Sequence, residues 1–490
     1  MTLIRLDRVH ELATLSQPVE QSPPFAATKS SLSCLAGKRL VFFSVGHSSK
    51  KFILVQAWKY GIEPIVIDNY DSWARKLVSD GLVTAFIGVD MSRPVDQVLD
   101  EALRGLAELS LSPPDGVCTF VELSVSLAAR LARALGCPGP NPVSVDAARD
   151  KFKTRSIMQQ RGIPHVRNML IRSESDLSIA AAAVGFPAVL KPVAGAASLG
   201  VLKVDSHNTL LDAYRWVVSA LSELIVSAGS LERPSTKIDP DGEGGDIVGI
   251  SAELVINTTV LMEEYLEGPE VDVDLVLSGG ERRYAAVIDN GPTFEPFFGE
   301  TWACLPSQLS GEKQRELEAM AIDAVKALGF TDGVYHVELK YTPNGPRLIE
   351  VNARMGGGPT RMIHKLVSGI DLVREQFLIA LGEPSRPTFS EAPLQFIAYA
   401  FINCRATGAV SDISFLDKYR QVPGVVWILP YVRPYERCVG PEDGHPSWLG
   451  DIVVAVSENS ETALRLVKKL EKEIADEFAS RRITHGRCHD

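Results

Sequence analysis

From Lys38 onward, short apolar runs alternate with longer amphipathic ones. Residues 39–45 (RLVFFSV), 63–69 (EPIVIDN), 83–90 (VTAFIGVD) and 115–120 (DGVCTF) read as buried strands. Between them, residues 49–61, 96–109 and 122–136 place apolar side chains at helical spacing. Strand–helix alternation of this kind predicts a parallel, doubly wound α/β sheet over residues 37–140. Its first strand runs into Gly46-His47-Ser48-Ser49-Lys50, which is neither GxGxxG nor GxxxxGK[ST]. The loop lies at the carboxyl end of a strand, where such sheets bind ligands. By position alone, a plain turn with an exposed Lys50 is the favoured reading.

The pattern then changes. Asp146 is expected to cap a helix carrying Asp150, Lys151 and Arg155, which Gly162 and Pro164 end. Taken alone, Lys151 is a solvated helix residue. Residues 185–192 (GFPAVLKP) form an apolar strand that contains Lys191, where an unpaired ammonium is costly. Ala194-Gly195-Ala196-Ala197-Ser198-Leu199-Gly200 follows, a loop of small residues able to close backbone N–H groups on phosphate. Residues 228–249 are polar and read as a mobile insertion. In VLMEEYLEGPEVDVDLVL (260–277) a strand bends at Gly268-Pro269 and a second, alternating strand follows. Beyond Pro384, strands at 395–407, 425–432 and 451–457 and a charged helix at 461–479 predict a C-terminal α+β lobe.

The richest stretch is VYHVELKYTPNGPRLIEVNARMGGG (334–358). It reads as two strands and a turn, in which side chains alternate faces. His336, Glu338 and Lys340 share one face of the first strand; Glu350, Asn352 and Arg354 share one face of the second. Two acids, an amide and a guanidinium suit a divalent cation held against phosphate oxygens. Asn344-Gly345 invites a two-residue loop, which would put Glu338 opposite Val351. Pairing Glu338 with Glu350 requires an even sum of residue numbers and therefore predicts an odd-length loop. Like charges directly opposite destabilise a bare sheet, so that register makes sense with cations between the acids.

Composition narrows the classes. A net charge of -11 argues against general nucleic-acid binding, and no apolar run is long enough to span a bilayer. Seven scattered cysteines, at 34, 118, 137, 304, 404, 438 and 488, show no CxxC or zinc spacing and fit a reducing compartment, taken as the cytoplasm. Cys304 and Cys404 read as core residues. Residues 1–36, broken by Pro18, Pro23 and Pro24, read as a flexible arm; Asp7, Glu11 and Glu20 are unusual for a transit peptide. His485, Cys488 and His489 read as a frayed tail.

In order and spacing, Asp150-Lys151, the Lys191 strand with its small-residue loop, MEEYLEGPE and LIEVNARMGGG resemble the ATP-grasp superfamily over roughly residues 37–480. The 334–358 stretch is most similar to carboxylate–amine ligases that make dipeptides, the L-amino-acid ligases and carnosine synthases. The resemblance implies an ATP-grasp domain over 141–390, with a mobile lid about 188–270 and the C-terminal lobe over 391–490. It implies that Lys151 and Lys191 hold nucleotide phosphates and that Gly195, Ala196, Ala197, Ser198 and Gly200 cover them. Glu263, Glu264, Tyr265 and Leu266 would meet adenine, and Glu270 the ribose. Glu338, Glu350 and Asn352 would hold two Mg²⁺ ions, with Mn²⁺ as the alternative. Arg354, with Lys191, would be catalytic, steadying the reacting phosphate and a tetrahedral intermediate. Glu300 would meet a substrate amine and Arg361 a substrate carboxylate. Gly356, Gly357 and Gly358 would leave room for a larger acyl substrate. The partners are then a small carboxylate and an amine, with no nucleic acid or membrane, in a chain that could form a homodimer. The rival readings are another ATP-grasp enzyme, such as a biotin or bicarbonate carboxylase or a purine-pathway ligase, and a nucleotide-binding sensor without turnover.

Overall fold

The computed structural model describes residues 34–227, 230–232, 250–252 and 257–483. Residues 1–33 of the expected arm (1–36), most of the 228–249 insertion and the tail with His485, Cys488 and His489 lie outside the described residues. Among those described, no helix is long and apolar enough to cross a membrane.

Strands β1 (Arg39–Phe43), β2 (Glu63–Asn69), β3 (Ala85–Val89) and β4 (Gly116–Cys118) form a parallel sheet in the order β3-β2-β1-β4. Alternation decides its two covers. Leu40 and Phe42 of β1 pack with helix Lys51–Lys59 and Phe377, while Val41 and Phe43 pack with helices Val95–Glu108 and Val125–Leu135. Asp146 does not cap a helix. It lies inside helix Pro142–Arg149, capped by Asn141, and accepts two bonds from Arg130. The following helix, Lys151–Gln160, is capped by Asp150, whose carboxylate accepts from the Lys153 amide at 2.9 Å.

A small antiparallel sheet follows, built from β5 (Asn168–Ile171), β6 (Ala188–Pro192), β7 (Leu202–Val204) and, after a short three-stranded unit of β8 (Ile225–Ser227), β9 (Ser230–Glu232) and β10 (Ile250–Ser251), β11 (Val260–Glu264). Its order is β5-β11-β6-β7. Eight antiparallel strands make the main platform: β12 (Glu270–Ser278), β13 (Glu281–Asn290), β14 (Trp302–Leu305), β15 (Gly333–Thr342), β16 (Gly345–Asn352), β17 (Phe396–Asn403), β18 (Val425–Pro430) and β19 (Trp448–Val456). They run in the order β16-β15-β12-β13-β14-β17-β19-β18. The segment beyond Pro384 thus extends the central sheet instead of building one of its own. One face is apolar: helix Gly311–Ala327 packs on Val273, Val337 and Val351, and helix Ser460–Arg481 on Ala400 and Ile452. Cys304 and Cys404 are buried in the second of these cores, and burial pushes their thiols up to about 12 and about 11.

Glu338 sits directly opposite Glu350, but the loop is not odd. Thr342 pairs with Gly345, so Pro343 and Asn344 form a two-residue turn and Gly345 takes a φ of +85°. The even-sum register arises from a β-bulge instead: Leu339 pairs with Leu348, Glu338 with Glu350, and Ile349 is left over. The bulge lets Leu348 and Val351, three residues apart, both face the core. The Ile349 carbonyl accepts from Arg155 Nη2 at 2.6 Å, which holds the extra residue in place.

Candidate active site

The opposite face of β12, β15 and β16 carries three polar rungs. Glu270 pairs with Lys340; Asp272 faces Glu338, which faces Glu350; Asp274 faces His336, which faces Asn352. Period-two alternation in EVDVDL on β12 and in HVELK on β15 generates these rungs while valine and leucine go to the core. The middle rung gathers three carboxylates. Burial first, then Glu350 and Asp272, push Glu338 well above the ordinary carboxyl range. Glu350 moves the other way. Burial raises it, but the Lys151 ammonium, 2.5 Å from Oε2, together with Lys191 and Arg354, holds it low.

The last rung is a buried network. The Asp274 carboxylate lies 2.8 Å from His336 Nδ1 and 2.6 Å from His364 Nε2, and Tyr284 reaches His364 Nδ1 at 2.8 Å. Burial opposes protonation of His336, yet Asp272 and Asp274 push it up to about 10. An imidazolium beside the acid rung therefore supplies one cation from within the fold.

Lys151 and Lys191 converge from separate elements. The Lys151 amide donates to the Val193 carbonyl at 3.0 Å, tying the helix start to the end of β6. Lys151 is not a solvated helix residue: its side chain is 12% exposed and pairs with Glu350 at 2.5 Å. Lys191 is buried, as its apolar strand implies, and pairs with Glu263 at 2.5 Å. Glu263 also accepts from Arg155 at 2.8 and 3.2 Å. Burial pushes Glu263 up, but Arg155 and Lys191 overcome it and hold the acid at about 2. The Glu263 side chain is thus an internal hub. Next to it, the Glu264 and Tyr265 amides donate to the Arg167 and Pro187 carbonyls, and Tyr265 Oη donates to Glu295. In the 194–200 loop, Ala197 and Ser198 take positive φ values of 56° and 54°, and Gly200 one of 73°. Glu270 is pushed up by burial, partly offset by Lys340 at 3.5 Å.

Arg354 is held by three contacts. Its Nε lies 2.8 Å from Glu122 Oε2, Nη2 donates to Asn352 Oδ1 at 3.1 Å, and Nη1 donates to the Met355 carbonyl. Glu122 comes from the parallel-sheet domain, so two units of the chain meet at this arginine. Lys50 joins them. It is not an exposed turn residue: it is half-buried, and its Nζ donates to the Phe120 carbonyl at 2.6 Å.

The expected substrate residues fare differently. The Glu300 side chain is reachable by solvent yet ringed by protein. Burial, then Asp272, push it up to about 7. The Arg361 fork grips Asp371 at 2.9 and 2.7 Å, with its guanidinium against the Phe52 ring. Of the three glycines, Gly357 has nothing within 4 Å of a Cβ position, and Gly358 meets only Phe401 at 3.9 Å. Gly356 is tight: a Cβ would fall 2.8 Å from His336 Nδ1 and 2.6 Å from Thr360 Oγ1. Residues the motif reading passed over include Glu122, Lys50, Asp272 and Asp274. The alternating acids of β12 were the available signal for the last two; Lys50 had only its place at the carboxyl end of the first strand, and Glu122 had none.

Whether the set suits a divalent cation follows from its chemistry. Two carboxylates held face to face, one of them pushed far up, call for positive charge between them. Among the described residues, no three His, Cys, Asp or Glu side chains form a ready-made cage. Mg²⁺ commonly takes one or two carboxylates and completes its coordination with phosphate oxygens and water.

The description "ATP-grasp domain" matches residues 248–361, a span that includes the Glu263 hub, the three rungs and Arg354. The chain carries an ATP-grasp domain over that span. Over 372 residues it is 33% identical to carnosine synthase 1 of Gallus gallus, covering 74% of this chain and 37% of that protein. It is 27% identical over 288 residues to alanine–anticapsin ligase of Bacillus subtilis, covering 58% of this chain and 57% of that protein. The chain therefore spans about two fifths of the length of the carnosine synthases it matches. In three dimensions it resembles the L-amino acid ligase from Bacillus licheniformis, with a TM-score of 0.72 at 23% identity, covering 89% of this chain and 98% of that one. The ATP-grasp fold thus covers the parallel-sheet domain, the small sheet and the eight-stranded platform.

Proposed function

We propose that this chain is an ATP-dependent carboxylate–amine ligase, which joins an amino acid or related acid to an amine and yields an amide or dipeptide, ADP and phosphate. The observation that carries the reading is the Glu338–Glu350 pair, placed beside Lys151 on the face that also bears Asn352 and Arg354. The resemblance to carnosine synthases and alanine–anticapsin ligase supports the same reaction class.

A carboxylate is a poor electrophile at neutral pH. One of its oxygens attacks the γ-phosphorus of ATP, ADP leaves, and an acyl phosphate results. The amine nitrogen, as the free base, then attacks the acyl carbon; the oxyanion collapses, phosphate leaves, and the nitrogen loses a proton. Such steps depend on charge neutralisation and in-line placement. Lys151 and Lys191 would hold the phosphates, and residues 195–200 would close over them. The backbone from Glu263 to Leu266 would face adenine, and Glu270 the ribose. Glu338, Glu350 and Asn352 would hold two Mg²⁺ ions, or Mn²⁺ in their place, which would offset charge on the transferred phosphoryl group. Arg354, with five fixed donors, would stabilise the oxyanion. Glu300 would face the amine substrate. We place the enzyme in the cytoplasm, acting on small molecules without nucleic acid or membrane, and admit a homodimer.

The test is a screen of amino-acid pairs for ADP and phosphate release, with mass spectrometry of the products. Release that needs both partners, with a condensed product, is expected. Release driven by bicarbonate alone, or ATP binding without ADP, overturns the reading. A second result follows from Glu300. Its carboxyl is held up at about 7, so it is half ionised near that pH and mostly charged above it. For a substrate bound as an ammonium ion, kcat/KM should rise as pH passes 7 and flatten in Glu300→Gln; a pH profile unchanged in the variant would remove Glu300 from the site.

A further inference from the structure

The small sheet grips one loop of the platform, the connection between β13 and β14. Glu295 of that loop accepts from two donors, one on each oxygen: Lys203 Nζ of β7 at 2.7 Å and Tyr265 Oη, just past β11, at 2.6 Å. The Lys203 ammonium also lies 4.2 Å from the centre of the Tyr265 ring. The Lys203 amide donates to the Pro296 carbonyl at 3.0 Å. Trp216, on the helix His207–Ser222 that packs on the small sheet, meets Phe297 with ring centres 5.3 Å apart. A part-exposed ion pair contributes little by itself. Here it is joined by a backbone bond, a phenol and a ring contact, all falling on Glu295, Pro296 and Phe297. The far end of the same loop is fixed to the platform instead. The Glu300 carbonyl accepts from Asn403 Nδ2 and the Thr301 carbonyl from the Phe401 amide, both at 2.8 Å. In between, the Phe294 amide donates to the Gly299 carbonyl at 2.7 Å, and Phe298 takes a φ of +56°, a conformation that its surroundings must hold. Glu300 therefore stands where the part of the loop held by the small sheet meets the part held by β17.

We infer that Lys203 and Glu295 are positioning residues that latch the small sheet to this loop, so that nucleotide binding at the sheet and amine binding at Glu300 favour each other. The inference rests on the ligase reading, which puts the nucleotide against Lys191 and residues 195–200 of the small-sheet unit and the amine at Glu300. Both residues act through the loop and not on a substrate. A nucleotide that settles the small sheet settles residues 295–297 with it, and the closed turn at Phe294 and Gly299 passes that order to Glu300. The amine then binds a loop whose ordering entropy has already been lost. Such coupling is reciprocal, so the amine tightens the nucleotide by the same factor.

The experiment titrates the amino acid that the ADP screen identifies as the amine partner into wild type, Lys203→Met, Lys203→Arg and Glu295→Ala. Each titration is run by calorimetry with and without a non-hydrolysable ATP analogue and Mg²⁺. Wild type should bind the amino acid about tenfold more tightly with the nucleotide present. That ratio should fall toward one in Lys203→Met and in Glu295→Ala, and return in part in Lys203→Arg, which keeps a charged donor. A wild-type ratio of one, a ratio unchanged in the two variants, or a loss confined to nucleotide affinity with the ratio intact overturns the inference. Should Lys203→Met fail to fold, Glu295→Ala carries the same comparison. Wild type that forms no ADP with any amino-acid pair refutes the ligase reading instead. The latch is then judged by hydrogen exchange of the free protein. Glu295→Ala should speed exchange both in β7 and at residues 297–301; faster exchange in the loop alone, with β7 unchanged, refutes the latch.

Discussion

Glu350→Gln should lower amino-acid-dependent ADP release by about a thousandfold or more, with the chain still folded. The substitution keeps the shape of the side chain and removes its charge. It leaves the β15–β16 pairing intact, because Glu338 and Glu350 are joined by backbone register and not by mutual attraction. It even relieves the like-charge contact that pushes Glu338 up. What it removes is one of the two carboxylates able to hold a divalent cation, together with the anion that orients Lys151 at 2.5 Å. Stability should fall by the cost of leaving Lys151 without its partner, with the chain still folded, while turnover collapses. A steady-state ADP assay beside a urea unfolding curve checks both halves. A variant that keeps more than about a tenth of wild-type turnover would take Glu350 out of the chemistry.

The largest effect on stability is expected at Glu263. This acid is buried between Arg155 and Lys191, and Arg155 in turn fixes the bulge through Ile349. Glu263→Ala strands two buried cations and should cost about 3–5 kcal/mol. Its pH signature has a definite sign. The folded acid is held at about 2, below its ordinary value of 4.5. Its contribution is complete above pH 4.5 and lost as pH falls toward 2, on the order of 3 kcal/mol in all. Denaturant titrations at pH 7 and pH 3 should show this loss in wild type. Glu263→Gln should lose less on acidification, because it has no carboxylate to protonate. An equal pH dependence in both would mean that other acids dominate.

Much of the fold could be read from the chain because its signals are local. The β1–β4 units declare themselves through apolar runs and helical spacing, and the face of Glu338, Glu350 and Asn352 follows from period-two alternation. Failures came where tertiary context decides. The bulge at Ile349 compensates an even-length turn, and only the need to bury both Leu348 and Val351 hints at it. Asp146 looked like a cap but is claimed by Arg130, sixteen residues earlier. Arg361 looked available but is claimed by Asp371. Lys50 looked exposed because nothing near it in sequence reveals the Phe120 carbonyl that it reaches. A motif reports which groups are present; which of them are already engaged is settled by residues far away along the chain.

The most direct test is a crystal of the protein with a non-hydrolysable ATP analogue and Mn²⁺, read by anomalous scattering at the manganese edge. Manganese peaks are predicted between Glu338 and Glu350, within ligand distance of Asn352, with the terminal phosphate facing Lys151 and Arg354. Peaks elsewhere, with nucleotide bound away from the β15–β16 hairpin, would contradict the account.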